Sequence, residues 1–322
     1  MRLRSLNLFF LCIVPILLLP GLGYSQEEIT KYPSRPITFI MSPPPGAGVD
    51  LVCRVLIREA EKILGQPIIP VNKPGGFVST AAIASSKPDG YTIGCAGYAG
   101  VFSAPHINKV PFHPLKDLRF LMQFGYMNLG VNVKSDSQFE KFKDIIDYAR
   151  QNPNKLIHGC QNFGSFGHVA IEQIARKEGV KITHMPFKGG PDTEKALLGG
   201  HIHIMTGDVN YSLLEANMIR LLALIAENHS IEYPQTPILK DLGYDIPSPT
   251  ILNVSGPKGI PDGIAKQLEE AFTHAMKEPT FIKVMKTVRF PIAYRNSKEL
   301  NDYVIRNFEA YGKFIKEMGV AK

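Results

Sequence analysis

Cysteine is scarce in this chain, with four residues in 322, and no two of them approach a C-x-x-C spacing. That excludes a disulfide framework and leaves Cys53, Cys95 and Cys160 as expected buried thiols. Beyond the N-terminal region no segment is apolar enough to cross a bilayer. No stripe of Lys and Arg interleaved with aromatics appears, so nucleic acid is not an expected partner. Acidic residues number 29 against 36 basic ones, a modest positive balance of +7 that suits small anionic ligands. With 44% hydrophobic and 9% aromatic residues, the composition is that of a globular protein and disorder is excluded.

What is present begins with a leader. Arg2 and Arg4 precede an interrupted apolar run over 8–22, and Gly23-Tyr24-Ser25 offers small residues at the −3 and −1 positions. The expectation is a signal peptide cleaved after Ser25, giving a periplasmic chain of 297 residues. Its charge is then +5, from 34 basic and 29 acidic residues.

The most informative stretch is Met41-Ser42-Pro43-Pro44-Pro45-Gly46-Ala47-Gly48-Val49-Asp50. It follows the β-branched run Ile37-Thr38-Phe39-Ile40 and precedes apolar residues at helical spacing, closed by Gly65. Strand, Pro/Gly loop, helix is the predicted order. Such a loop presents bare N–H groups at the positive end of a helix, which is an anion receptor. A dinucleotide fingerprint is the rival reading, but Leu51 stands where its third glycine belongs. A purely structural turn is the other.

Strand and helix patterns then alternate along the chain. Expected strands are 68–71, 91–96, 118–124, 130–133, 156–159, 181–186, 202–206, 221–226 and 250–254, with a last strand-like stretch at Phe290–Tyr294. Repeated βα units predict an α/β protein, and two such series predict two lobes, each a mostly parallel sheet flanked by helices. The second series carries its own glycine loop, Asn162-Phe163-Gly164-Ser165-Phe166-Gly167-His168, and a third follows at Phe187-Lys188-Gly189-Gly190. Ligands in open α/β sheets sit at the carboxyl ends of strands, where these loops fall.

These motifs carry a resemblance. Tyr32-Pro33-Ser34-Arg35-Pro36 running into Pro-Pro-Gly-x-Gly-x-Asp, Asn72-Lys73-Pro74-Gly75-Gly76, Lys87-Pro88-Asp89-Gly90-Tyr91, Leu198-Gly199-Gly200-His201 and Gly256-Pro257-Lys258-Gly259-Ile260-Pro261 occur in this order. Together they resemble the Bug proteins, the TctC-like receptors of tripartite tricarboxylate transporters. The resemblance implies a type II-like periplasmic binding protein whose lobes close on a small carboxylate, with integral membrane transporter subunits as partners, a monomeric state and no cofactor or metal. It further implies a ligand site at Pro45, Gly46, Ala47, Gly48 and Asp50 of the first loop. Gly164, Ser165 and His168 of the second join it, with Tyr98 and Ala99 on a neighbouring turn and Phe187, Lys188 and Gly189 opposite. The implied division is 26–127 for the first lobe, 128–249 for the second, and 250–322 returning to the first. Ala47 and Val49 depart from the family's usual glycine and threonine, which removes one hydroxyl donor from the loop.

Other residues leave alternatives open. Asp208, at a strand end, borders the cleft or caps a turn. His201 and His203 share a strand face or begin a metal site lacking a third ligand. Tyr98, Phe102, Phe163, Phe166 and Phe187 suit an apolar ligand body or a core. Ser165 is no nucleophile elbow, because Phe163 occupies the first glycine position of that motif. A non-catalytic receptor is therefore expected; an exported enzyme acting on small acids and a nucleotide-dependent dehydrogenase are the alternatives.

Overall fold

A computed structural model describes residues 31–246 and 250–319, so the expected leader and its cleavage point lie outside the described residues. The predicted alternation of strands and helices produces two five-stranded sheets. The first has the order β2-β1-β3-β10-β4, from β1 (Ile37–Met41), β2 (Ile68–Asn72), β3 (Thr92–Cys95), β4 (Leu118–Tyr126) and β10 (Ile251–Pro257). The second has the order β7-β6-β8-β5-β9, from β5 (Leu129–Lys134), β6 (Ile157–Gln161), β7 (Thr183–Phe187), β8 (Ile204–Asp208) and β9 (Ile219–Ile225). The fold is the two-lobed α/β architecture expected.

In each sheet four strands run one way and one runs against them. β10 lies antiparallel to β3 and β4, and β5 lies antiparallel to β8 and β9. Each reversed strand is the first that the chain enters after crossing between sheets. β4 stops at Tyr126 and β5 starts at Leu129, so β5 must begin at the end where β4 finished. That shared end is where the majority strands terminate, and their loops gather there.

The helix Gly48–Leu64 shows how local sequence sets these loops. Val52, Cys53, Leu56, Ile57 and Ala60 form its buried stripe, and Gly65 ends it at φ 67° with its N–H bonded to Glu61 O at 2.9 Å. The stripe packs with Phe39, Phe272 and Phe281 in the core of the first lobe. Burying each such aromatic contributes about 1.5–3 kcal/mol. Cys53, Cys95 and Cys160 are buried free thiols, as expected.

The segment 290–294 is not a strand. Only Arg295 bridges Gln123, through Gln123 N to Arg295 O at 3.0 Å, and Tyr126 N reaches Pro291 O at 3.1 Å. Pro291 lacks the N–H that a ladder needs, so the segment rides along β4 without joining it. The last helix, Ser297–Glu317, spans both lobes. Asn301 and Ser297 donate to Phe120 O of β4 at 3.0 and 2.7 Å, while Tyr311 donates to Gly164 O and Arg176 to Glu317 O in the second lobe. Among the described residues no helix is long and apolar enough to cross a membrane.

Candidate ligand site

The first loop is knotted by Asp50. Its Oδ2 accepts the Gly46 N–H at 2.8 Å, Arg54 Nε donates to both oxygens at 3.0 and 2.9 Å, and Asn72 Nδ2 donates to Oδ1 at 2.7 Å. The same Asn72 nitrogen reaches Pro43 O at 2.8 Å, so one buried carboxylate fixes both ends of the Pro/Gly run. Burial pushes the Asp50 carboxyl up, but the donors from Arg54, Asn72 and Gly46 outweigh it and hold the group below its ordinary value. Gly46 sits at φ 85°, which only glycine adopts without strain. The Asp50 carboxylate thus faces its own loop. The N–H groups of Gly48 and Val49 keep no acceptor among the described residues.

The second loop leaves β6 through Asn162 (φ 58°) and Gly164 (φ 72°). The Gly164 N–H donates to His168 Nδ1 at 2.9 Å, and the Ser165 hydroxyl caps the helix Phe166–Glu178 by accepting His168 N–H at 3.4 Å. The Phe166 and Gly167 N–H groups at this helix start have no protein acceptor among the described residues. Gly167 permits the close approach to β8, since a Cβ there would lie 2.0 Å from Thr206 Oγ1.

His168 stands behind the loop rather than in front of it. Its ring is 3% exposed and meets Phe163 and His184 edge-on at 4.8 and 4.5 Å. Accepting the Gly164 N–H at Nδ1 leaves the proton on Nε2, so the ring is neutral. Burial, and then His184, pull its pKa down to about 4. Above pH 6.5 neither folded nor unfolded chain protonates this ring. As pH falls from there toward 4 the unfolded chain takes up a proton that the folded loop refuses, so stability is lost across that window. Thermal melts at pH 7 and pH 4.5 check this: wild type should lose more than His168→Asn, and equal losses would assign the pH effect elsewhere.

Between the lobes lies a small cavity of about 20 Å³ walled by Tyr98, Ser165, Phe166, Gly167, Thr206 and Asp208, with Leu129, Gln161 and Gly207 completing it. A neighbouring cavity of about 170 Å³ shares Gln161 and Thr206–Asp208 and adds Glu194 and the start of the helix Gly190–Leu198. A third, of about 390 Å³, runs from Asp208 to Thr287–Arg289 of the first lobe. Asp208 borders all three. Tyr98 reaches across from the first lobe, its ring 5.2 Å from Phe166, and burial and then Asp208 push its phenol up. Enclosing walls and the Glu194 charge raise the Asp208 carboxyl to about 6, although water reaches the side chain from the cleft.

The expected residues therefore divide. Tyr98, Ser165 and Asp208 meet in one cavity. Pro45, Gly46, Ala47 and Gly48 form the neighbouring loop but wall none of the three spaces, and a Cβ on Gly48 would point at Phe290. Ala99 opens a π-helical turn, Phe187 packs with the core group of Leu197 and Ile202, Gly189 precedes the helix start, and Lys188 is exposed. Gln161, Thr206 and Glu194 escaped the sequence reading. The first two lie at the carboxyl ends of β6 and β8, where the strand-end rule points; Glu194, mid-helix, carries no such signal. Among the described residues no group of His, Cys, Asp and Glu could hold a metal. His203 instead accepts Ile157 N–H at 3.0 Å.

Two α/β lobes, with helix N-termini facing an intervening cleft, define a solute-binding protein. The family model for the tripartite tricarboxylate transporter family receptor, TctC, matches residues 52–320, and the chain belongs to that family. It is a receptor and not an enzyme. A Cupriavidus necator protein of the gbd 5' region is 32% identical over 301 residues, 92% of each chain. A TctC solute-binding protein from Polaromonas has a TM-score of 0.77 at 26% identity, covering 89% of this chain and 99% of its own. A Rhodopseudomonas palustris protein solved with adipate has a TM-score of 0.74 at 21% identity, covering 90% and 99%.

Proposed function

We propose that this chain is a periplasmic receptor, released by cleavage after Ser25, that captures a small carboxylate and hands it to the membrane subunits of a tripartite transporter as a monomer. The observation that carries the reading is the pair of unsatisfied N–H groups at Phe166 and Gly167, beside the Ser165 hydroxyl, opening into the cavity that Tyr98 closes from the other lobe. Helix N-termini favour anions through bare amides and dipole together. A ligand touching both walls binds the closed form better than the open one and shifts the population toward it. The lobes in this reading are 26–127 with 250–322, and 128–249. The first loop, Pro45 to Gly48, and the Phe187–Gly189 turn contribute to the rim on closure, with Asp50 and His168 holding their loops in shape. The adipate bound by the R. palustris relative supports the carboxylate class.

Calorimetric titration with an acid and its primary amide tests the reading. The amide should bind weaker by roughly 1–3 kcal/mol, since its NH₂ leaves the N–H groups of the cavity unpaired. Equal affinity would show that these amides do not read a carboxylate. Turnover of the acid would restore the exported-enzyme alternative.

A further inference from the structure

The cleft carries an acid that a receptor for simple dicarboxylates would avoid. Asp208 ends β8, its backbone fixed by pairing with Leu129 of β5, and its side chain opens into the cavity that holds the free Phe166 and Gly167 amides. Its carboxylate has no hydrogen bond or ion pair among the described residues. Glu194 stands beside it in the adjoining space, held by Asn210 Nδ2 at 3.0 Å. No lysine or arginine lines either space. The cation on the far side, Arg289, is already paired with Glu215 and lies over the Tyr211 ring at 4.9 Å. Donors without acceptors thus form one wall, and an acid without a cation forms another.

We propose that Asp208 determines specificity and that the ligand is a small amino acid or comparable zwitterion, its carboxylate on the Phe166 and Gly167 amides and its ammonium on Asp208. The inference rests on the receptor reading above and narrows it. A cation at this point relieves the repulsion between Asp208 and Glu194, whereas a second carboxylate adds to that repulsion. The two adjoining spaces, about 20 and 170 Å³, admit a ligand of only a few carbons. Selectivity is then built by an opposing charge as much as by an attracting one.

Titration of the full mature chain with alanine and 4-aminobutyrate, with propionate and butyrate as their desamino analogues, and with succinate tests this directly. At least one zwitterion should bind on the order of tenfold or more tighter than its desamino analogue and than succinate. Asp208→Asn should erase that preference, weakening the zwitterion and strengthening succinate, while its melting temperature stays near wild type. Glu194→Gln should weaken the preference without erasing it. Binding of simple acids with no advantage for the amine would overturn this inference and leave the receptor reading intact. An unchanged preference in Asp208→Asn would also overturn it. If none of the five compounds binds, the inference falls, while the receptor reading stands or falls on the titration of an acid against its amide.

Discussion

Gly164→Val is expected to cost roughly 2–5 kcal/mol and to remove all ligand-induced stabilisation. At φ 72° a β-branched residue is strained by about 1–3 kcal/mol. The new Cβ would also lie 2.0 Å from Ile107 Cδ1, with Ile315 Cδ1 behind it at 3.5 Å, and overpacking of this kind costs about 1–3 kcal/mol. Both backbone groups of the residue are engaged, the N–H by His168 and the carbonyl by Tyr311. The loop cannot shift to relieve the clash without giving up one of them, and the Phe166 and Gly167 amides move with it. Gly207→Ala is the control, because nothing lies within 4 Å of a Cβ there and its effect on stability should stay under about 0.5 kcal/mol. Urea denaturation of both variants measures the difference. A Gly164→Val protein within about 0.5 kcal/mol of wild type would mean that this backbone shape is not required.

Asp50→Ala should be the next most damaging change, at roughly 2–3 kcal/mol. It strands the Gly46 N–H and the Asn72 amide, each a partly buried donor worth about 1–3 kcal/mol when left alone. The Arg54 side chain is 41% exposed and will be rehydrated, so its lost ion pair adds little. The sign with pH follows from the lowered carboxyl. Its contribution is present above about pH 4, the unfolded value, and is lost as pH falls through the folded one. Asp50→Asn should therefore show a flatter acid limb than wild type in a series of melts below pH 4. A steep limb that survives the substitution would assign acid sensitivity to other groups. Glu172 is one such group, held down to about 2 by His184 and Arg176 against its partial burial.

Much of this was legible in one dimension, and the reasons differ residue by residue. Ile37-Thr38-Phe39-Ile40, the Pro/Gly run and Gly65 announce strand, loop and helix because each acts locally, through β-branching, fixed φ and positive φ. Tyr98, Ser165 and Asp208 were reached through motif resemblance or strand ends. Direction along a loop was not legible. An acid in the first turn of a helix satisfies the dipole whichever way it points, and Asp50 is turned inward by Gly46, Arg54 and, 22 residues away, Asn72. His168 likewise looks ligand-facing until His184 and the Gly164 N–H claim its ring. Pro291 is visible in the sequence, yet the apolar pattern around it imitates a strand. The reversed strands were invisible because alternation fixes which face is buried and says nothing of direction.

The placement of β10 has a consequence for how the chain assembles. The second sheet draws all its strands from one unbroken stretch, 129–225, and can be completed from it alone. The first cannot. β10, at 251–257, lies between β3 and β4, so those two strands have no common neighbour until the chain has passed residue 257. Emerging from the amino end, the first lobe would carry two open edges, each a template for wrong pairing. The last helix then lies on β4 and reaches Gly164 by way of Tyr311, locking a loop in the lobe that had long been finished. A chain that stopped short of Tyr311 would leave the Gly164 carbonyl without that hydroxyl. The loop that walls the candidate cavity is thus braced by a helix that follows every strand of both sheets.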